Sequence, residues 1–337
     1  MSLYRTELRR LAKRRLTRLM LALLFVGLAT IVVSISVASQ KIGPDQLAAA
    51  EVRAEANYRE AVGYHEQSIR DCEAAKERGE DMNRFPPDCG KEFSPRREDF
   101  QAEWFLPYQF EFREDFGIFV SVFAGITALI AFIVGASYVG AEWNSGGMMN
   151  LLLWRPKRLS VLFTKLAALL TGALGVTVLL GALWTVAFWL IGRYDGITGK
   201  LTTGVWKSIG LTGVRGAAMV LIVAAIAFGL ASLGRHTAMA LGVVVAVGVV
   251  SEIGVRVAMA VAGVPFGDRY VLSSYALAWF NKQYTLFNYE SCNFAVSGEC
   301  RPAELVLTWQ QSGVLFGIAT VLVLGGALWT MRRRDVT

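Results

Sequence analysis

"GAEWNSGGMMNLLLWRPKRLSVLFTKL", Gly140–Leu166, separates two long apolar blocks. It carries one carboxylate, a Ser-Gly-Gly run, a proline and four basic residues. Working outward from it, the chain alternates apolar blocks with polar connections. A span needs about 20 apolar residues to cross roughly 30 Å of hydrocarbon. Six blocks qualify: 19–38, 117–139, 166–191, 211–233, 237–262 and 313–331. The fourth and fifth are joined only by Gly234, Arg235 and His236, which predicts a tight helical hairpin. The expected fold class is an all-α polytopic membrane protein with six transmembrane helices.

Charge gives the orientation, because Lys and Arg gather on the cytoplasmic side of short loops. The first 18 residues hold seven basic residues and one Glu, and the tail at 332–337 begins with three arginines. Arg155, Lys157, Arg158 and Lys165 follow the second block, and Arg235 sits in the hairpin turn. Six crossings place all of these on one side, so both termini are expected in the cytoplasm. Arg193, Lys200 and Lys207 lie on the opposite side and weaken the bias without reversing it. The net charge of +7 therefore flanks spans, rather than covering a face for nucleic acid.

Residues 1–18 read as a cytoplasmic interfacial helix. Tyr4, Leu8, Leu11, Leu16 and Leu19 fall near one face, and five basic residues cover much of the rest. A plain positive-inside anchor gives the same topology. The block at 19–38 lacks a cleavage pattern and is expected to remain as the first span. Residues 39–116 are expected outside as a helical insertion with 11 Lys or Arg against 18 Asp or Glu. One solvated helix is predicted from Pro44 to about Glu80. Trp104, Phe105, Tyr108 and Phe110 suit a membrane interface. A second outer loop, 263–312, is rich in aromatics, and short helices that dip partway into the bilayer are one expectation for parts of it, which periodicity does not establish.

The four cysteines, Cys72, Cys89, Cys292 and Cys300, all fall in the two loops assigned to the outside. That face permits disulfides. Cys72–Cys89 and Cys292–Cys300 are the expected pairs, each closing a short loop within one segment.

No catalytic or metal motif is found. Two histidines, His65 and His236, on opposite sides leave no HExxH, and neither a P-loop nor a GxSxG occurs. Charges inside spans are functional candidates by default. Glu252 and Arg256 share a helix face in the fifth span, and Arg215 enters the fourth at a comparable depth. An Arg215–Glu252–Arg256 cluster facing the bundle interior is expected, as a structural ion pair, a gate or a site for a polar substrate group.

The opening stretch resembles the passage after the second span in permeases of type-2 ABC transporters, particularly actinobacterial members. That family's pattern is matched by Glu142, Gly146 with Gly147, Leu151 with Leu152, Pro156 with Lys157 and Arg158, and Lys165. The six-span plan extends the likeness over most of the chain, whereas the 39–116 insertion departs from the minimal plan. The resemblance implies a permease subunit of an ATP-driven exporter. Two permease copies, or two related ones, would pair with separate ABC ATPase subunits, which bind ATP and Mg. This chain itself would hold no cofactor. Within the loop 140–165, a coupling helix near Ala141–Leu153 would dock on the ATPase. Glu142, Trp143, Asn144, Ser145, Gly146, Gly147, Met148, Met149, Leu152, Arg155, Pro156 and Arg158 would form that contact. Glu142 would accept hydrogen bonds at a helix start or meet a basic partner, Met148, Met149, Leu152 and Trp154 would supply adaptable apolar contacts, and the basic residues would meet the ATPase or membrane lipids. A membrane sensor or assembly scaffold that binds a partner through its outer insertion is the alternative.

Overall fold

The computed structural model describes residues 3–79, 85, 87–154, 157–288 and 302–333. Six of its helices are long and apolar enough to cross a membrane. In chain order the elements begin with α1 (Leu3–Lys13), α2 (Arg15–Ala38), α3 (Pro44–Glu77), α4 (Phe112–Asn144), α5 (Gly147–Trp154) and α6 (Arg158–Tyr194). Then come α7 (Thr203–Gly234), α8 (Thr237–Val249), a π turn (Val250–Val255), α9 (Arg256–Val261) and α10 (Leu272–Asn281). Strands β1 (Gln283–Asn288) and β2 (Ala303–Thr308) and helix α11 (Trp309–Arg333) complete the chain. The candidate spans are α2, α4, α6, α7, the α8–α9 run and α11.

The chain divides into two compact units. The larger holds residues 1–32, 113–188 and 200–337, and α7 is its most enclosed span. Val220, Ala224 and Phe228 of α7 meet Ala128, Ala131, Val134 and Tyr138 of α4, Leu162 and Leu169 of α6, and Met331 of α11. Small residues let these helices approach, which matters because lipid offers no hydrophobic drive for helices to associate. Gly140 shows it best, since a Cβ there would run into the backbone and hydroxyl of Thr237 at the start of α8.

The described residues of the 263–312 segment form short helices and a pair of strands. Helix α10 is followed by β1, which pairs antiparallel with β2 from Gln283↔Thr308 to Asn288↔Ala303. One side of this hairpin packs Leu286 and Leu307 against Ala278 of α10. The protein is an all-α polytopic membrane protein that carries this one two-stranded sheet among its described residues.

The smaller unit holds residues 33–112 and 189–199. Its long helix, α3, runs from the predicted Pro44 to Glu77, and Ala50, Ala54, Cys72 and Ala75 are buried on it. The expected Cys72–Cys89 disulfide is present. Nearby, Lys91 pairs with Glu73 at 2.6 Å. Hydrogen bonding between these two holds the Glu73 carboxyl below its usual range and the Lys91 ammonium above it. The Cys292–Cys300 pair lies outside the described residues. Phe110 does not rest on a membrane interface as expected; it is fully buried, because its amide donates to Ser39 Oγ and its carbonyl accepts from Ile197 N. Trp104 and Tyr108 remain exposed.

Candidate functional site

The elbow between α4 and α6 is where polar side chains concentrate in the larger unit. Helix α4 runs on past its apolar block to Asn144, then turns through Ser145 and Gly146. Gly146 has φ +72°, the left-handed region where glycine carries no Cβ penalty. Helix α5 follows at once, and α6 begins at Arg158.

Lys165, in the second turn of α6, is fully buried, a state an ammonium tolerates only when paired and hydrogen-bonded. Its Nζ lies 2.7 Å from Glu142 Oε2 and 2.7 Å from Glu7 Oε2. Glu7, on α1, is also fully buried. Its Oε2 accepts a 2.7 Å bond from the Tyr138 hydroxyl, and its Oε1 meets Arg10 Nη1 at 3.2 Å. The Lys165 ammonium further lies 4.9 Å from the Tyr138 ring centroid. Two carboxylates against Lys165 and Arg10 make the set neutral overall. Burial pushes the Glu7 carboxyl up, but Lys165, Tyr138 and Arg10 together outweigh it and hold it below its usual value.

This geometry corrects the role given to Glu142. It does not reach out toward a partner, because its carboxylate is held by Lys165, and it ties the end of α4 to α6 and α1. Two further contacts bind the elbow to the α7–α8 turn. Gly140 abuts Thr237, and the Arg235 guanidinium lies 4.8 Å over the Trp143 ring. Arg235 closes α7 in the left-handed region, φ 54°.

The faces of α5 also differ from expectation. Met148 and Leu152, four apart and so on one face, are buried in the core with Tyr138, Val161 and Leu162. They cannot supply the exposed apolar contacts expected of them. Met149 is half-buried. Leu153 and Trp154 are 80% and 87% exposed, and Asn144, Ser145, Gly147 and Asn150 are exposed beside them. Arg155 and Pro156 lie outside the described residues, and Arg158 is half-buried.

The expected Arg215–Glu252–Arg256 cluster is split. Glu252 and Arg256 approach to 3.8 Å, while Arg256 makes its shorter contact, 3.1 Å, to Asp268. Glu252 Oε1 accepts from Ser273 N and Ser251 Oγ from Leu272 N, both 2.8 Å, so the π turn caps the start of α10. Arg215 instead exchanges bonds with Trp279, donating to its carbonyl at 3.5 Å and accepting its indole N–H at 2.9 Å. Both groups thus reach α10, a short helix of the second outer loop, and not each other.

Sequence reasoning missed Glu7. It sits on the same stripe of α1 as Tyr4, Leu8 and Leu11, and an acid on an apolar stripe signals a buried partner.

In comparison with known proteins, a family model described as ABC-2 family transporter protein matches residues 1–336. No curated protein and no solved structure matches the chain.

Proposed function

The chain belongs to the ABC-2 transporter family, and from that premise we propose that it is driven by a separate ABC ATPase which docks on the α5 elbow. As a member it is a multi-pass protein of the cell membrane and a permease subunit of an ABC transporter. In the proposed complex the ATPase binds ATP with Mg on the cytoplasmic side, where α1, α5 and both termini lie. A second permease copy, or a related permease, completes it, and the direction of transport is outward.

The observation that carries this reading is the exposed apolar pair Leu153 and Trp154 on a strapped helix. The two lie beyond the apolar blocks, among Asn144, Ser145, Asn150 and Lys157, so acyl chains do not account for them. Helix α5, seated in the core by Met148 and Leu152 and following directly on the end of α4 that Glu142–Lys165 ties to α6, acts as a rigid lever. Displacing it pulls on α4, on α6 through Lys165, and on the α7–α8 turn through Arg235. The docking residues are therefore Trp154, Leu153, Asn150 and Met149 with the Asn144–Gly147 turn. Glu142 serves as the strut beneath them.

Co-expression with candidate ABC ATPase subunits tests the proposal. Trp154→Ala is expected to weaken co-purification by about 30-fold, the effect of a central aromatic anchor worth about 2 kcal/mol. Retention of full association by Leu153→Ala/Trp154→Ala would remove the docking claim, and so would the absence of any stable ATPase complex.

A further inference from the structure

Between the polar face of α1 and α5 lies an open concavity of about 820 Å³, lined by Arg9, Arg10, Lys13, Arg14, Asn150 and Trp154 among others. We propose that it is a binding site for the phosphate of an anionic phospholipid headgroup, with Arg9 and Lys13 as the phosphate ligands.

The first reason is charge. Four cations fall within six residues, and like charges at helical spacing repel. Two of the four are already engaged: Arg10 with Glu7, and Arg14 with the Ser137 carbonyl at 3.3 Å and the Tyr138 ring at 5.6 Å. The carboxylate at the rim, Glu142, is held by Lys165 and does not offset the rest. Arg9 and Lys13 are exposed, sit four apart on one face, and have no side-chain partner among the described residues.

The second is depth. Helix α1 lies along the first turns of the α6 apolar block. Tyr4 bonds Thr171 at 2.7 Å, Glu7 bonds Lys165, and Leu11 packs where a Cβ on Gly172 would stand 3.1 Å from it. One residue after α1, the first span begins. The basic face is therefore held at the boundary between hydrocarbon and headgroups, where lipid phosphates are concentrated.

The third is preorganisation. The buried Glu7 and Leu11 fix the rotation of α1, so Arg9 and Lys13 are presented in one register. That sets this site apart from a loose basic tail, whose attraction to a membrane depends on charge number alone. None of this rests on docking of an ATPase at α5.

The test uses the purified full chain in detergent, titrated with phosphatidylglycerol or phosphatidylcholine and read by native mass spectrometry. Wild type should retain phosphatidylglycerol preferentially. Arg9→Gln/Lys13→Gln should weaken that retention by about 30-fold, each cation near an anionic lipid being worth about 1 kcal/mol. Arg9→Lys should keep most of it, and Arg5→Gln/Arg15→Gln, an equal charge change at exposed residues outside the concavity, should leave it unchanged. Equal losses from the two double variants would overturn the proposal in favour of diffuse attraction. No lipid preference in wild type would do the same. Displacement by inorganic phosphate alone would reassign the site to a free anion. If Arg9→Gln/Lys13→Gln keeps its lipid but loses an associated ATPase, the concavity is a protein contact and the proposal is wrong.

Discussion

Lys165→Met removes the cation shared by Glu7 and Glu142 while nearly preserving side-chain volume. Both carboxylates contact one Nζ at 2.7 Å, so their facing oxygens lie no more than twice that distance apart. At roughly 5 Å and an effective dielectric near 20, two bare carboxylates repel by about 3 kcal/mol. Tyr138 and Arg10 remain to hold Glu7, but Glu142 loses its charge partner. Breaking a buried ion set by deleting one member costs about 3–5 kcal/mol, and the variant should lose that much stability in unfolding by sodium dodecyl sulfate in mixed micelles. The diagnostic step is restoration. Glu7→Gln/Glu142→Gln/Lys165→Met leaves no uncompensated charge and should recover most of the loss, because neutral replacement of a whole buried ion set is often well tolerated. A single variant within about 1 kcal/mol of wild type, or a triple variant less stable than the single one, would refute a closed, mutually dependent network.

Other outcomes follow from the same geometry. The depressed Glu7 carboxyl stabilises the fold fully above its ordinary value of 4.5 and loses that contribution as pH falls through its lower folded value; melting compared between neutral and acid pH should show an acid-side loss that is smaller in Glu7→Gln. Gly140→Val forces a side chain into Thr237 and should destabilise by about 1–3 kcal/mol, with a change in Trp143 fluorescence because the adjoining Arg235 turn must move. Cys72→Ser opens a disulfide spanning 17 residues and should cost the smaller unit about 3 kcal/mol, read as faster proteolysis of the α3 region with the six spans still inserted.

The spans were legible because crossing hydrocarbon demands long apolar runs, and no other composition satisfies it. Helix α3 was legible from Pro44 and its charged, proline-free course. The elbow was legible as a place but not as a mechanism. Glu142 stood out as a carboxylate between spans, yet its partner Lys165 lay at the head of an apolar run and looked like a positive-inside residue. Glu7, 158 positions before that lysine, looked like a lone acid in a basic segment. Local pattern does not report which distant charges meet. The faces of α5 were misassigned for a related reason: in "MMNLLLW" only Asn150 is polar, too little for periodicity to say which residues face inward. The β1–β2 pair was missed because six-residue strands carry little alternation, and their pairing depends on packing against α10.

The burial of Glu7 also sets an order of events during synthesis. Its ammonium partner lies 158 residues downstream, and at about 5–20 residues per second the ribosome reaches it about 8–30 s later. Until the third span is in place, Glu7 has Arg10 beside it on α1 but lacks the buried Lys165 ammonium, and seating it then would be unfavourable. The first helix made is therefore among the last to settle. Its docking reports that the first three spans have been delivered in the correct direction, since an inverted third span would present Lys165 on the wrong side of the membrane.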